Sequence, residues 1–208
     1  MNETKIILIR HGQSIGNLKR IFLGHADWDL SEEGYRQVKC VEEYLKNEKI
    51  DVFYSSDLKR AYNTVFGLAS LKNKKITKSE NLREIYAGKW EEMLFSEIET
   101  NFPDEFFVWK NDIGNARCVG GESVLELQKR VYDEIETIAK KHHRKTVCIG
   151  THATAIRSFC AKCMQYSPDE IKNLNWAVNA SISTLIYKDE KFNLIEYGYE
   201  KHLEEFSR

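Results

Sequence analysis

Three short segments of this 208-residue chain carry side chains suited to holding and cleaving a phosphoryl group. Arg10-His11-Gly12 follows the apolar run Ile6 to Ile9, Arg60 comes shortly after Ser55-Ser56, and His152 follows Thr151. A phosphomonoester carries about −1.5 to −2 charge at neutral pH, on oxygens that match the planar fork of a guanidinium. Arg10 and Arg60 fit that need. Phosphoryl transfer is mostly positioning and charge stabilisation, so two arginines can stand where nucleotide enzymes use magnesium, and no metal or other cofactor is expected. Neighbouring arginines should hold the His11 imidazole below its ordinary pKa of about 6.5, neutral and nucleophilic. His152 is the expected donor to the phosphoryl oxygens. Gly12 is expected to let the backbone approach substrate, and a helix starting after His152 to aim free N–H groups at the anion. An acid is also needed to protonate the leaving alkoxide. Composition does not single one out, because the chain is rich in glutamates.

Each motif alone is commonplace, and its meaning depends on the elements that bring the motifs together. Lys5 to Ile9, Asp51 to Tyr54 and Thr146 to Gly150 read as short buried strands. Ser31 to Lys46, Arg60 to Ser70 and Ser123 to Lys141 read as helices. In the last, Val124, Leu127, Val131, Ile135 and Ile138 repeat at helical spacing behind a Ser123-x-x-Glu126 capping box. Helical patterns resume over Thr154 to Lys162 and Asp169 to Leu174. Ser183 to Tyr187 and Phe192 to Tyr197 form an expected hairpin across Asp189-Glu190. Strands alternating with helices specify an α/β fold, a three-layer sandwich with a mostly parallel central sheet and helices on both faces. Ligands of such sheets bind beyond the carboxyl ends of the strands, where Arg10, His11, Arg60 and His152 would converge.

Thirty-one basic and thirty-two acidic residues give a net charge of −1, so no global field favours nucleic acid or an anionic membrane surface. The apolar run near the N-terminus is too short for a signal-peptide core or a membrane span, and five scattered cysteines suit reduced thiols, so a cytoplasmic protein is expected. Without repeats or a Pro/Gly/Ser linker, residues 1–208 are expected to form one domain, with a lid-like insertion over about 88–120.

The blocks also resemble the histidine phosphatase superfamily, the branch with cofactor-dependent phosphoglycerate mutase and its phosphatase relatives. The resemblance rests on Ile9 to Asn17, Gly24 to Gly34, Tyr54 to Thr64, Leu82 to Glu91, Gly120 to Ser123, Gly150 to Arg157 and Asn179 to Ser183, which occur in order. It implies a phosphoglycerate mutase-like fold, His11 as nucleophile and Glu84 as proton donor. It further implies Arg10, Arg60 and His152 as phosphate ligands, with Asn17, Gly24 and Ala153 beside the substrate. In two places the chain departs from the family pattern. Ala153 stands where a glycine usually follows the second histidine, and Glu92 where a glycine commonly follows the Trp-Glu pair. The first adds a methyl beside the phosphate site, and the second a charge that can alter substrate choice.

A metal-independent phosphomonoesterase acting on a small phosphorylated metabolite is therefore the expected activity. A cofactor-dependent phosphoglycerate mutase is the alternative. The order Arg83-Glu84-Ile85-Tyr86-Ala87-Gly88 departs from the Arg-x-Tyr-Gly pattern of the mutases, and the insertion is short. An inactive phospho-ligand binding module would be favoured by loss of His11 or Glu84, and both are present. Metal sites at His25-x-Asp27-x-Asp29, Cys160-x-x-Cys163 or His142-His143 are weaker readings than a loop, a helix interior and a helix end. Phe95, Phe102, Phe106, Phe107, Val108 and Trp109 crowd the insertion, either as an apolar cover or as its packing onto the body. Lys19, Arg20 and Arg117 are candidates for binding a second anionic group. Oligomeric state is not readable from the sequence.

Overall fold

The computed structural model describes residues 3–205. Among them the strands are β1 (Thr4–Arg10), β2 (Ile21–Phe22), β3 (Val52–Ser55), β4 (Ile76–Lys78), β5 (Met93–Leu94), β6 (Thr146–Thr151), β7 (Ile182–Lys188) and β8 (Lys191–Tyr199). The helices are α1 (Ile15–Leu18), α2 (Glu32–Leu45), α3 (Lys59–Leu71), α4 (Phe95–Asn101), α5 (Pro103–Asn111), α6 (Val124–Lys141), α7 (Ala153–Cys163) and α8 (Lys201–Glu205). A six-stranded sheet has the order β4-β3-β6-β1-β7-β8. The contacts among β4, β3, β6 and β1 are parallel, and β7 and β8 add an antiparallel edge. This is the expected mostly parallel sheet with helices on both faces.

The apolar run of β1 is explained by burial on both sides. Successive side chains of a strand point to opposite faces. Ile6 and Leu8 enter the core that includes Leu127, Val131 and Ile135 of α6 and Ile156 and Phe159 of α7. Ile7 and Ile9 enter the other, with Val41 and Leu45 of α2 and Val65 and Leu68 of α3. The predicted stripe of α6 is wholly buried, and its capping box closes through Ser123 and Glu126. The segment 169–174, expected to be α-helical, instead forms the 3₁₀ turn Pro168–Asn173, with Leu174 already extended behind it. Only Ile171 of that turn is buried, too little apolar surface to fix a longer helix.

Residues 88–120 contain β5, α4 and α5. They join the body through the two-stranded β2-β5 sheet, in which Ile21 pairs with Leu94 and Phe22 with Met93. An edge-on aromatic cluster reinforces the join, with ring centroids 5.6 Å apart for Phe22 and Trp90, 5.1 Å for Phe22 and Trp109 and 5.9 Å for Trp90 and Trp109. Among the described residues no helix is long and apolar enough to cross a membrane.

The β7-β8 hairpin turns where expected, with Asp189 at φ 49° and Glu190 at φ 60°. A two-residue turn with both residues left-handed favours Asn-Gly, because side chains other than Asn and Asp resist positive φ. Asp189→Asn combined with Glu190→Gly is expected to raise the unfolding free energy by about 1 kcal/mol, measured by urea denaturation. An unchanged or lowered midpoint would contradict that account of the turn.

Candidate active site

Sheet register brings the two histidines together. Arg10 lies opposite Thr151 on the adjacent parallel strands, and the His11 N–H donates to the Thr151 carbonyl at 3.0 Å. His11 and His152 thus leave neighbouring strand ends, with ring centroids 5.2 Å apart. Nδ1 of His11 is 2.7 Å from the Gly12 carbonyl oxygen. A carbonyl only accepts, so this contact assigns the hydrogen to Nδ1 and leaves the lone pair on Nε2. Burial, then Arg60 and Arg10, hold His11 well below its ordinary 6.5. His152 is likewise depressed by burial, then Arg60 and His11. His152 is 0% exposed, and neither ring nitrogen has a protein partner.

Arg60, in the first turn of α3, is 1% exposed. It donates to the carbonyls of Ala26 at 2.7 Å and Gly24 at 2.8 Å. Burial lowers its pKa to about 10, against the opposing carboxylates of Glu84, Asp27 and Glu91, so it stays charged at neutral pH. Arg10 donates to the Ala177 carbonyl at 2.5 Å, while its Nε is buried without a partner. Asn17 accepts through Oδ1 from the Ser14 N–H and from Asn179, both at 3.1 Å, and Asn179 also donates to the His11 carbonyl at 3.0 Å.

Glu84 accepts from the N–H of Ile85 at 2.9 Å and of Thr154 at 3.1 Å. Its carbonyl takes His25 Nε2 at 2.9 Å and Arg130 at 3.2 Å. The N–H of Thr154, at the start of α7, which was expected to face the anion, therefore goes to Glu84. Sequence reasoning missed Glu91, whose carboxylate accepts from the N–H groups of His25, Ala26 and Ala87 at 2.9 to 3.0 Å. It holds the loop whose carbonyls grip Arg60, and its only signal was the Trp90-Glu91 pair. Arg130 also went unread; it forks onto Glu122 at 2.9 and 2.8 Å and reaches the carbonyls of residues 81, 83 and 84.

Arg10, His11, Asn17, Gly24, Arg60, Glu84, Ala153 and Thr154 all line one cavity of about 310 Å³, walled opposite by Phe22, Phe95, Trp109 and Trp176. His152, fully buried, does not itself line this cavity and reaches it only from behind His11, as a correction to the expected convergence. A buried histidine, paired arginines and a carboxyl group in one pocket can bind a phosphate ester, attack it at phosphorus and protonate what leaves. The model of the histidine phosphatase superfamily (branch 1) matches residues 6–200. The chain belongs to the histidine phosphatase superfamily. Phosphoserine phosphatase 1 of Hydrogenobacter thermophilus is 32% identical to it over 203 residues, 97% of this chain and 95% of that protein. A metal-independent phosphoserine phosphatase of Arabidopsis thaliana is 30% identical over 205 residues, 96% of this chain and 83% of that one. The solved structure of YhfR from Bacillus stearothermophilus has the same fold, with a TM-score of 0.92 at 24% identity over 96% of this chain and 99% of that one. A phosphoserine phosphatase from Entamoeba histolytica, solved with phosphoserine, gives a TM-score of 0.85 at 25% identity over 96% of this chain and 99% of that one. The expected phosphatase activity agrees with these relatives.

Within this histidine phosphatase some residues do other work than the sequence suggested. Gly12 does not line the cavity; a Cβ there would sit 2.7 Å from the Gly34 carbonyl oxygen, so the glycine serves close packing of the signature loop on α2. Gly24, at φ 50°, lines the cavity but also presents its carbonyl to Arg60, and a Cβ there would meet Glu91 at 2.2 Å. Glu92 takes φ 61°, the left-handed backbone that explains the glycine usual at this place. Its carboxylate is turned to Trp28 Nε1 at 2.6 Å and does not line the cavity. The other ligand types have protein partners: Asp27 accepts from the Lys59 N–H, Asp29 from Asn63, and His142 contacts the Tyr54 hydroxyl. Burial raises the thiols of Cys160 and Cys163, the latter to about 12, which keeps them unreactive.

The depressed histidines tie stability to pH. Below 6.5 an unfolded histidine takes up a proton that the buried one refuses, so folding is stabilised above that pH and loses the contribution as pH falls. Between about pH 7.5 and about pH 5.5 the pair is expected to remove about 2 to 3 kcal/mol from the unfolding free energy. Urea titrations at both pH values, with His11→Asn/His152→Asn alongside, check this. The double variant should lose that part of the pH dependence, and an equal dependence in both proteins would refute it.

Proposed function

We propose that this chain is a metal-independent phosphomonoesterase that hydrolyses a small phosphorylated metabolite through a phosphohistidine at His11. The observation that carries the reading is His152, fully buried with both nitrogens unpartnered, packed against His11 and within the field of Arg60. Leaving a buried polar group unbonded costs about 1 to 3 kcal/mol, a cost that a bound phosphoryl group would offset. In the first step His11 Nε2 attacks phosphorus and the P–O ester bond breaks, while protonated Glu84 gives its proton to the leaving oxygen. In the second, water attacks phosphorus, Glu84 takes its proton, the N–P bond breaks and phosphate leaves. Arg10, Arg60 and His152 hold the phosphoryl oxygens throughout, with Asn17, Gly24 and Ala153 around them.

A mutase must also retain a dephosphorylated, carboxylate-bearing substrate. Beyond Arg10 and Arg60 no cationic side chain lines this cavity among the described residues, which favours release. Residues 88–120 serve as the lid through Phe95 and Trp109, the latter also part of the packing cluster. Five free cysteines suit the cytoplasm.

The test is phosphate release with EDTA present from p-nitrophenyl phosphate, phosphoserine and 3-phosphoglycerate. His11→Ala is expected to abolish release. Glu84→Gln should slow alkyl phosphates by about 10² to 10⁴ but p-nitrophenyl phosphate much less, because nitrophenolate leaves without a proton. Interconversion of phosphoglycerates without release would select the mutase, and release surviving in His11→Ala would overturn the phosphohistidine.

A further inference from the structure

A second, larger cavity of about 600 Å³ shares the wall of the first through Phe95, Trp109 and Trp176. Its chemistry is different. Lys19, Arg20 and Lys110 line it against a single carboxylate, Glu99. Lys110 and Glu99 satisfy one another at 3.0 Å. Lys19 lies 5.3 Å from the Trp28 ring, and the Arg20 guanidinium has no hydrogen-bond or ion-pair partner among the described residues. The backbone of Arg20 is nevertheless pinned. Its N–H donates to the Asn17 carbonyl at 3.1 Å and its carbonyl accepts from Phe95 at 3.1 Å, at φ 57°, a conformation that side-chain-bearing residues resist. The chain thus mounts a free cation on a fixed backbone in the second cavity, across the shared aromatic wall from the phosphate site.

The first cavity offers the reverse. In the proposed reaction a phosphoryl group engages both its arginines, and Glu84 is then the one other acidic or basic side chain of its lining among the described residues, His11 being neutral. A substrate with a carboxylate close to its phosphate would bury that carboxylate unpaired beside another acid, an unfavourable arrangement. We infer that the preferred substrate is an elongated phosphomonoester. Its apolar or aromatic body lies along Phe95, Trp109 and Trp176, and a second anionic group at its far end pairs with Arg20 and Lys19. The inference rests on the first cavity being the phosphatase site.

The experiment uses O-phosphorylated ω-hydroxyalkanoic acids of increasing length, each compared with the methyl-terminated alkyl phosphate of equal length. The ratio of kcat/KM, acid over alkyl, is expected to lie below one for the shortest pair. It should rise about five- to tenfold once the chain spans the aromatic wall. Lys19→Ala/Arg20→Ala should cancel the rise, and Arg20→Glu should reverse it. A ratio independent of length, or a rise that persists in the double variant, would overturn the inference and leave these cations as solvated surface. His11-dependent release from the alkyl series would then still support the phosphatase site. Absence of release from every compound, or release that persists in His11→Ala, would overturn that site and the inference with it.

Discussion

Arg60 keeps a full positive charge at 1% exposure without an ion pair among the described residues, and the site is organised around that constraint. Its charge is met by peptide dipoles. The peptide between Gly24 and His25 gives its carbonyl to Arg60 and its N–H to Glu91, so a carboxylate and a guanidinium polarise one peptide unit from its two ends. The arrangement holds the arginine in place while keeping its charge uncancelled by direct contact, which leaves it able to attract an anion. Burial first, and that field second, hold His11 and His152 in the neutral form, so the arginine that would bind phosphate also favours the uncharged imidazole that the proposed attack requires.

The sheet supplies the precision that such a site needs. Parallel pairing of β1 with β6 and of β6 with β3 aligns three strand ends, and the hydrogen bond from His11 to Thr151 carries the register one residue beyond the strands. Arg83 forks onto Asp57, Thr151 Oγ1 holds the Leu82 carbonyl at 2.7 Å, and Arg130 grips the segment from behind. Glu84 therefore sits on a loop, but one tied to α6, β6 and the β3-α3 connection. A rigid frame around a loop is how a side chain proposed for proton transfer is kept within about 0.5 Å of its working position.

Under the proposed reading, selectivity belongs to a different layer of the structure. The charged residues of the first cavity are common to any phosphate ester, whereas the aromatic wall is made where residues 88–120 meet Trp176 and the β2 segment. Trp109 both packs in the aromatic cluster and lines the cavity, so one side chain of the insertion belongs to its packing and to the cavity wall at once. Arg117, weighed with Lys19 and Arg20, instead donates to Glu126 and to the Gly121 carbonyl, away from both cavities.

Local pattern determined a great deal here. The apolar run of β1, the stripe of α6, the hairpin turn and the order of the motif blocks all follow from short-range periodicity and residue type, as does the convergence of Arg10, His11, Arg60 and His152 on one edge. Those residues lie at element ends, where direction and length suffice to place them. The tertiary structure alone decided what depends on through-space approach. Glu91 looks like any acidic residue until the fold brings three backbone N–H groups to it. Gly12 looked like a substrate contact until Gly34 was found against it, and the Thr154 N–H looked free until Glu84 reached it. Hydrogen bonds between distant segments and the closeness of two backbones leave no periodic trace in a sequence, because they are set by how finished elements pack and not by the residues that build each one.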